Sequence, residues 1–278
     1  MIKKNKMEYI YNFIAIIIAI VFLFPLYWII VSSLKTDSEI FSLNPTIIPR
    51  KIIFNAYSEQ FIGGDYNILK GFFNSLTVSI PTMIISVIIS VPAAYGLARF
   101  NVVGRKYLIQ SFLITQLMPA TLLLTPMFIL FRFIGITNTF FAPIIANCTV
   151  AIPFSVMMLR PYFLSLPKDI EEAAIIDGCN TWTAFVRIML PLSYPGIIMS
   201  AIFSFLFAWG DLIFSLTFLA DGTMRPITVG IYNFVGKYGI QWNKIMAFGV
   251  VIMIPVILIF VFLQKYIIGG LTQGAVKE

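Results

Sequence analysis

No histidine occurs in the 278 residues, and only two cysteines, Cys148 and Cys179, are present. A catalytic triad that needs an imidazole base is therefore excluded, as is a His-ligated metal site, and two thiols far apart in sequence make no thiolate cluster. Cys148 sits in an apolar run and Cys179 in a polar loop, so the pair is expected at different depths and unbridged. Charge is scarce as well: 11% of residues are charged and 59% are hydrophobic, whereas a soluble globular domain is about 25% charged. The phosphate-loop pattern G-x-x-x-x-G-K-[ST] is missing, since Gly236-Lys237 is followed by Tyr238; the chain is not expected to hydrolyse ATP itself. A net charge of +7 calls for no nucleic acid, because lysines and arginines beside a bilayer meet anionic head groups and help to set orientation.

What fills the chain instead is apolar runs long enough to cross a membrane. Lys3, Lys4 and Lys6 precede an uncharged run from Tyr9 to Leu34, which is longer than a signal-peptide core and has no small-residue cleavage site, so it is expected to be an uncleaved first span. Five more spans are predicted over Phe73–Ala98, Tyr107–Phe131, Phe133–Leu159, Pro195–Ala220 and Ile245–Leu263. The resulting division is 1–34, N-terminus and first span; 35–70, an extracytoplasmic loop broken by Pro45, Pro49 and Gly63-Gly64; 71–266, a five-span core; and 267–278, a tail. Six spans leave both termini on one side. Counting Lys and Arg with the termini inside gives eleven inside and eight outside, the sign expected for cytoplasmic termini. Prolines 81, 92, 119, 126, 143, 153 and 255 fall within spans and predict kinked helices packed against protein.

One charged stretch, Glu171 to Pro191, interrupts the apolar runs. Pro167 can occupy a first helical turn, and Asp169, Glu171 and Glu172 then put negative charge near the positive end of the helix dipole. Ala173, Ala174 and Gly178 keep this short helix slim; Ala174 and Gly178, four apart, are expected on one face, with Gly178 ending or kinking the helix. A second helical stretch through Trp182, Phe185 and Ile188 is expected to stop at Pro191 and Pro195. Helix, glycine hinge and helix make a compact knob between two spans.

The knob resembles the EAA loop of permease subunits of binding-protein-dependent ABC importers. The family pattern reads E-A-A, three residues, Gly, nine residues, I-x-L-P, and Glu172, Ala173, Ala174, Gly178, Ile188, Leu190 and Pro191 fill every place. An amphipathic surface helix in a loop is the plainer reading, but seven positions over twenty residues, bracketed by apolar runs, are more than such a helix needs. Asn74-Ser75-Leu76, Ala93-Ala94-Tyr95, Ala98-Arg99-Phe100, Met118-Pro119, Thr125-Pro126 and the tail from Gly269 resemble the carbohydrate branch, the maltose-type G subunits in particular. The resemblance implies an all-α integral membrane protein with six transmembrane helices, the type I ABC importer permease fold, and a cytoplasmic EAA coupling loop at about 165–191. It further implies a second homologous permease subunit, two ATPase subunits that bind ATP and Mg, an extracytoplasmic solute-binding protein, no cofactor in this chain, and placement in a prokaryotic cell membrane. On that basis Gly178→Asp is expected to disturb docking to the ATPase by adding bulk and charge.

Asp211 is the acidic residue deep within a predicted span. An ionised carboxylate at mid-bilayer costs on the order of 3 kcal/mol, so it needs a partner or water. It is a lining residue of a translocation path, a structural carboxylate capped by a neighbouring span, or a carboxylate near enough to the outer surface to be hydrated. Asn147 and Gln116 place amides in apolar runs and are candidates for the same path, with inter-helix hydrogen bonding as the alternative. The polar loop from Asp221 to Lys244, at Val235, Gly236, Lys237, Tyr238 and Gly239, is the candidate contact with the binding protein, or else a plain connector. A secondary transporter would call for ion-coupling residues and an inverted repeat, where one lone carboxylate and no repeat are seen. An importer for another solute, such as a glycerol-phosphate ester, is the nearer rival.

Overall fold

Almost every regular element is a helix, as the apolar runs require: away from water, a backbone must satisfy its own hydrogen bonds, and a helix does so within one segment. The computed structural model describes residues 6–62, 67–236 and 239–273, with side chains described for 7–61, 67–232, 234 and 240–264. In chain order the α-helices are α1 Lys6–Ser33, α2 Asp37–Ile40, α3 Asn55–Ile62, α4 Ile68–Arg99, α5 Arg105–Leu117, α6 Ala120–Phe133, α7 Phe141–Ser165 and α8 Lys168–Ile176. There follow α9 Thr181–Ala184, α10 Leu190–Leu192, α11 Tyr194–Trp209, α12 Ile213–Phe218, α13 Ile227–Gly230 and α14 Trp242–Gln273. One small antiparallel hairpin pairs β1 Val235–Gly236 with β2 Gly239–Ile240, Val235 facing Ile240 and Gly236 facing Gly239. Among the described residues four helices, α1, α4, α7 and α14, are long and apolar enough to cross a membrane, and six crossings result if two bent pairs each count as one.

The bends are where the structure departs from straight spans. The run predicted as one span over Tyr107–Phe131 is broken between α5 and α6 by 101°. Its cause is local: proline disfavours the helical conformation in the residue before it, and Met118 (ψ 127°) and Pro119 (ψ 132°) are both extended. The second stretch stops between Pro191 and Pro195, as expected, but it passes Pro191 by one residue and ends at Leu192. Residues Phe185–Met189 form a π-turn closed by the Leu190 N–H on the Phe185 carbonyl, and the wider turn lets the helix run through a residue that has no N–H to donate. The chain turns at Ser193, where α10 meets α11 at 76°. The fourth span starts later than predicted, at Phe141, because Gly135 (φ 76°) and Asn138 (φ 59°) hold a turn ahead of it.

The chain divides into two units. In the larger, residues 70–229 and 255–278, α7 packs against α5, α6, α11 and α12. Its faces allow this because they are small: Ala142, Ala146 and Ala151 are buried, and small residues let helix backbones approach in the absence of a hydrophobic drive. On α4, Ser75, Ser79, Thr82, Ser86 and Ser90 are buried along one face. There Ser86 Oγ lies 3.9 Å from the Cys148 Sγ of α7, while Ser155 of α7 meets Ser204 of α11 at 3.1 Å. Cys148 is buried and Cys179 half-buried, and both are free. The Asp221–Val229 segment is held to the start of α4, where Asn74 Nδ2 donates to the carbonyls of Thr223 and Arg225 and Ser75 Oγ accepts from Ile227 N.

The smaller unit, residues 1–69 and 230–254, holds α1, the loop after it and the start of α14. Lys244 pairs with Glu59 at 2.6 Å, Gln60 Nε2 donates to the Lys244 carbonyl, and Asn243 N donates to Asp37. Glu39 accepts from Thr46 Oγ1 and Arg50 N, and these donors, the hydroxyl first, hold its carboxyl below the usual carboxylate range. Phe234 and Phe248 meet edge to face at 5.3 Å.

Candidate functional site

The knob is built by two capping devices and one ion pair. Pro167 enters α8 with extended ψ (132°), and Asp169 and Glu171 lie in its first turn. At the other end Gly178 has φ 91°. Its N–H donates to the Ile175 carbonyl and the Cys179 N–H donates to the Ala174 carbonyl, both at 3.0 Å: a left-handed glycine closing the last turn of a helix. Gly178 therefore lies beyond the helix rather than on a shared face with Ala174. A Cβ built there meets no atom within 4 Å, so within the chain it is the backbone conformation and not bulk that calls for glycine. Asn180 then caps α9, its Oδ1 accepting from Thr183 N and Oγ1, each at 2.8 Å. Sequence reasoning passed over Asn180, although an Asn directly before an apolar helical stretch is a legible start signal.

Glu171, expected only to place negative charge at the start of α8, has specific partners. Its Oε2 lies 3.2 Å from Arg99 Nε, with side-chain exposures of 13% and 4%, and its Oε1 accepts from the Tyr95 hydroxyl. Arg99 also donates from Nη2 to the Leu166 carbonyl at 2.9 Å. The Tyr95 ring lies 4.6 Å from that of Phe185, tilted by 34°, and meets Phe163 and Phe100 edge to face. The end of α4 is thus joined to both helices of the knob, through charge to α8 and through aromatic contact to the π-turn. The face is consistent: Ala174 is buried on α8, and the residue three before it, Glu171, shares its face. Glu172, Ala173, Ile175 and Ile176 are exposed, Ile176 at 85%. Ile188 and Leu190 are half-buried and Pro191 is exposed. A cavity of about 310 Å³ opens between Pro92, Tyr95, Phe100, Thr181, Trp182 and Phe185.

The polar residues of the apolar runs gather around α7. Asp211 lies in a break between α11 and α12 and is 9% exposed. Its Oδ1 accepts from Phe214 N at 3.0 Å, and its Oδ2 accepts from Ser215 N at 2.9 Å and Ser215 Oγ at 2.7 Å, with Asn147 as a further partner. Asn147 donates to the Pro143 carbonyl, one turn back on α7, and Gln116 Nε2 donates to the Val150 carbonyl, one turn on. Asp211 thus starts α12 within its own chain segment, a capping role that the apolar context of the sequence conceals. Asp211→Asn would turn an amide N–H₂ toward donors, leaving a buried group unpaired at about 1–3 kcal/mol. The expected result is a lower unfolding temperature of the purified chain in detergent, and Asp211→Ser is expected to cost less. Of the loop candidates, Val235, Gly236 and Gly239 form the β1–β2 hairpin, while Lys237 and Tyr238 lie outside the described residues.

The chain is a member of the family described as "Binding-protein-dependent transport system inner membrane component", which it matches over residues 71–273. It is 34% identical to the trehalose transport system permease protein SugB of Mycobacterium tuberculosis, covering 92% of each chain. To the sulfoquinovosyl glycerol transport system permease protein SmoH of Agrobacterium fabrum it is 33% identical, over 92% of this chain and 89% of that one. A crystal structure of a bacterial ABC transporter involved in the import of the acidic polysaccharide alginate shares the fold, with a TM-score of 0.76 at 21% identity over 96% of this chain and 99% of that chain.

Proposed function

We propose that this chain is the transmembrane permease subunit of an ATP-driven importer of a sugar, an oligosaccharide in particular, and that it works by alternating access. In this reading six spans cross the inner membrane of a prokaryote with both termini cytoplasmic. The partners are a second homologous permease, two ATPase subunits that bind ATP and Mg and carry out hydrolysis, and an extracytoplasmic solute-binding protein. The relatives' trehalose and sulfoquinovosyl glycerol support a glycoside as the solute.

The observation that carries the mechanism is the division of labour between the two faces of α8. Glu171 ties its inner face to α4 and Ala174 is buried beside it, while Glu172, Ala173 and Ile176 are left bare on the other. A helix that docked on an ATPase by the bare face would pass its movement to α4 through the Glu171–Arg99 pair and, through the π-turn and the bend at Ser193, to α11. Glu172, Ala173, Ala174, Gly178, Ile188, Leu190 and Pro191 then have mechanical roles, and Asp211, Asn147 and Gln116 stay candidates for the path of the solute.

The test is affinity purification of the tagged chain from mild detergent, followed by ATPase assay with and without sugar-loaded binding protein. The expected result is co-purification of a second permease and an ATPase, with hydrolysis raised by the loaded binding protein. A chain that purifies alone and transports in ATP-free vesicles would overturn the proposal.

A further inference from the structure

The loop between α1 and α3 carries six large apolar side chains that the chain does not cover. Leu43 is 100% exposed, Ile48 73%, Ile47 65%, Phe41 and Phe54 64% each and Ile52 59%. Arg50 and Lys51, both exposed, stand among them. Water is a poor surrounding for such a set, since apolar area left exposed forfeits about 25 cal/mol per Å².

The loop is nevertheless well tied. Ile53 N donates to the Leu34 carbonyl at 3.0 Å and closes it at the base. Lys35, 1% exposed, donates from Nζ to the Thr46 carbonyl and lies 4.6 Å from the centre of the Trp28 ring. The Tyr27 hydroxyl donates to the Ile47 carbonyl at 2.8 Å. Tyr27 is six residues before the end of α1 at Ser33, about 9 Å back along a helix. The loop has thus folded down alongside α1 rather than out from its end. Tyr27 and Trp28 also mark a depth: from Tyr9 to Tyr27 is eighteen residues, about 27 Å of helix, close to the ~30 Å of hydrocarbon that tyrosine and tryptophan belts bracket.

We propose that residues 41–54 are an interfacial membrane anchor: Leu43, Ile47, Ile48 and Ile52 enter the head-group and acyl boundary of the leaflet at the Tyr27 end of α1, and Arg50 and Lys51 engage the phosphates of anionic lipids. Depth and chemistry select a lipid surface over a protein. The Ile47 carbonyl is held at the level of the aromatic belt, and two cations among isoleucines match a boundary where apolar tails and anionic phosphates lie a few ångströms apart. The buried centre of a protein interface is depleted in lysine and would leave both charges to be paired. The inference rests on α1 crossing the bilayer, as the proposed topology has it.

The experiment places a nitroxide at Leu43→Cys in the Cys148→Ala/Cys179→Ser background, with parallel labels at Phe22→Cys on the lipid-exposed side of α1 and Ser58→Cys on exposed α3. The full chain, with its co-purifying subunits, is reconstituted in phosphatidylcholine vesicles with and without phosphatidylglycerol. At position 43, collisions with oxygen are expected to exceed those with an aqueous nickel chelate severalfold, approaching the ratio at position 22. Arg50→Glu/Lys51→Glu is expected to lower that ratio toward the position 58 value in phosphatidylglycerol vesicles and to leave position 22 unchanged. A position 43 label as open to the chelate as position 58, or one shielded from both reagents by a protein partner, overturns the anchor, and so does indifference to the charge reversal. A chelate-accessible label at position 22 would instead defeat the topology, which keeps the two failures distinguishable.

Discussion

Glu171→Ala is expected to destabilise the purified chain and abolish transport, whereas Glu172→Ala, one residue along, leaves stability unchanged. The carboxylate of Glu171 is the counter-charge of an arginine that is 4% exposed. Removing one member of a buried pair leaves the other charged and desolvated, at a cost of about 3–5 kcal/mol. Arg99 keeps its bond to the Leu166 carbonyl, so the lower end of that range applies. Tyr95 loses its acceptor at the same time. Glu172 is exposed, and its loss affects only whatever docks on the outer face. Arg99→Met/Glu171→Leu separates stability from transmission: apolar replacement of both partners restores most of the unfolding temperature, but with no charged link between α8 and α4 the ATPase is expected to hydrolyse without transport. An unchanged unfolding temperature in Glu171→Ala would show that the pair carries no stability, and full transport by the double variant would show that it carries no movement.

Substitutions at Gly178 are expected to follow backbone preference rather than side-chain size. With φ at 91° and no atom within 4 Å of a built Cβ, the position has room but calls for a conformation that costs an L-residue about 1–2 kcal/mol, Asn and Asp least of all. Transport should therefore fall in the order Gly, Asn, Ala, Val. Gly178→Asp adds a negative charge at the negative end of the α8 dipole, an unfavourable placement of up to about 1 kcal/mol. The Asn and Asp variants, alike in shape, thus isolate charge from conformation. Measuring both transport and the amount of ATPase retained on purification checks the order; a valine variant equal to the asparagine variant would sink the conformational account.

The knob was legible in the sequence because its determinants are local. Pro167 and the acids of the first turn announce the start of α8, and Gly178 announces its end, all within twelve residues. Pro191 and Pro195 likewise bracketed the end of the second stretch, at Leu192; what no propensity announces is the π-turn two to six residues before Pro191, which lets the helix pass that proline. At Pro119 the proline was read as a kink, and the extended backbone of Met118 and Pro119 made it a break of 101°.

Composition and spacing thus settled the helical membrane class and the position of the knob, since these depend on residue types and on neighbours a turn or less away. The fold decided the rest. Whether Glu171 or Glu172 turns inward depends on Arg99 and Tyr95, more than seventy residues away. Whether Asp211 faces a path or caps a helix depends on a break in the helix at Gly210 to Leu212 that places two backbone donors over its oxygens. Contacts of this kind arise only when packed helices bring distant residues together, and a linear reading has no distance with which to find them.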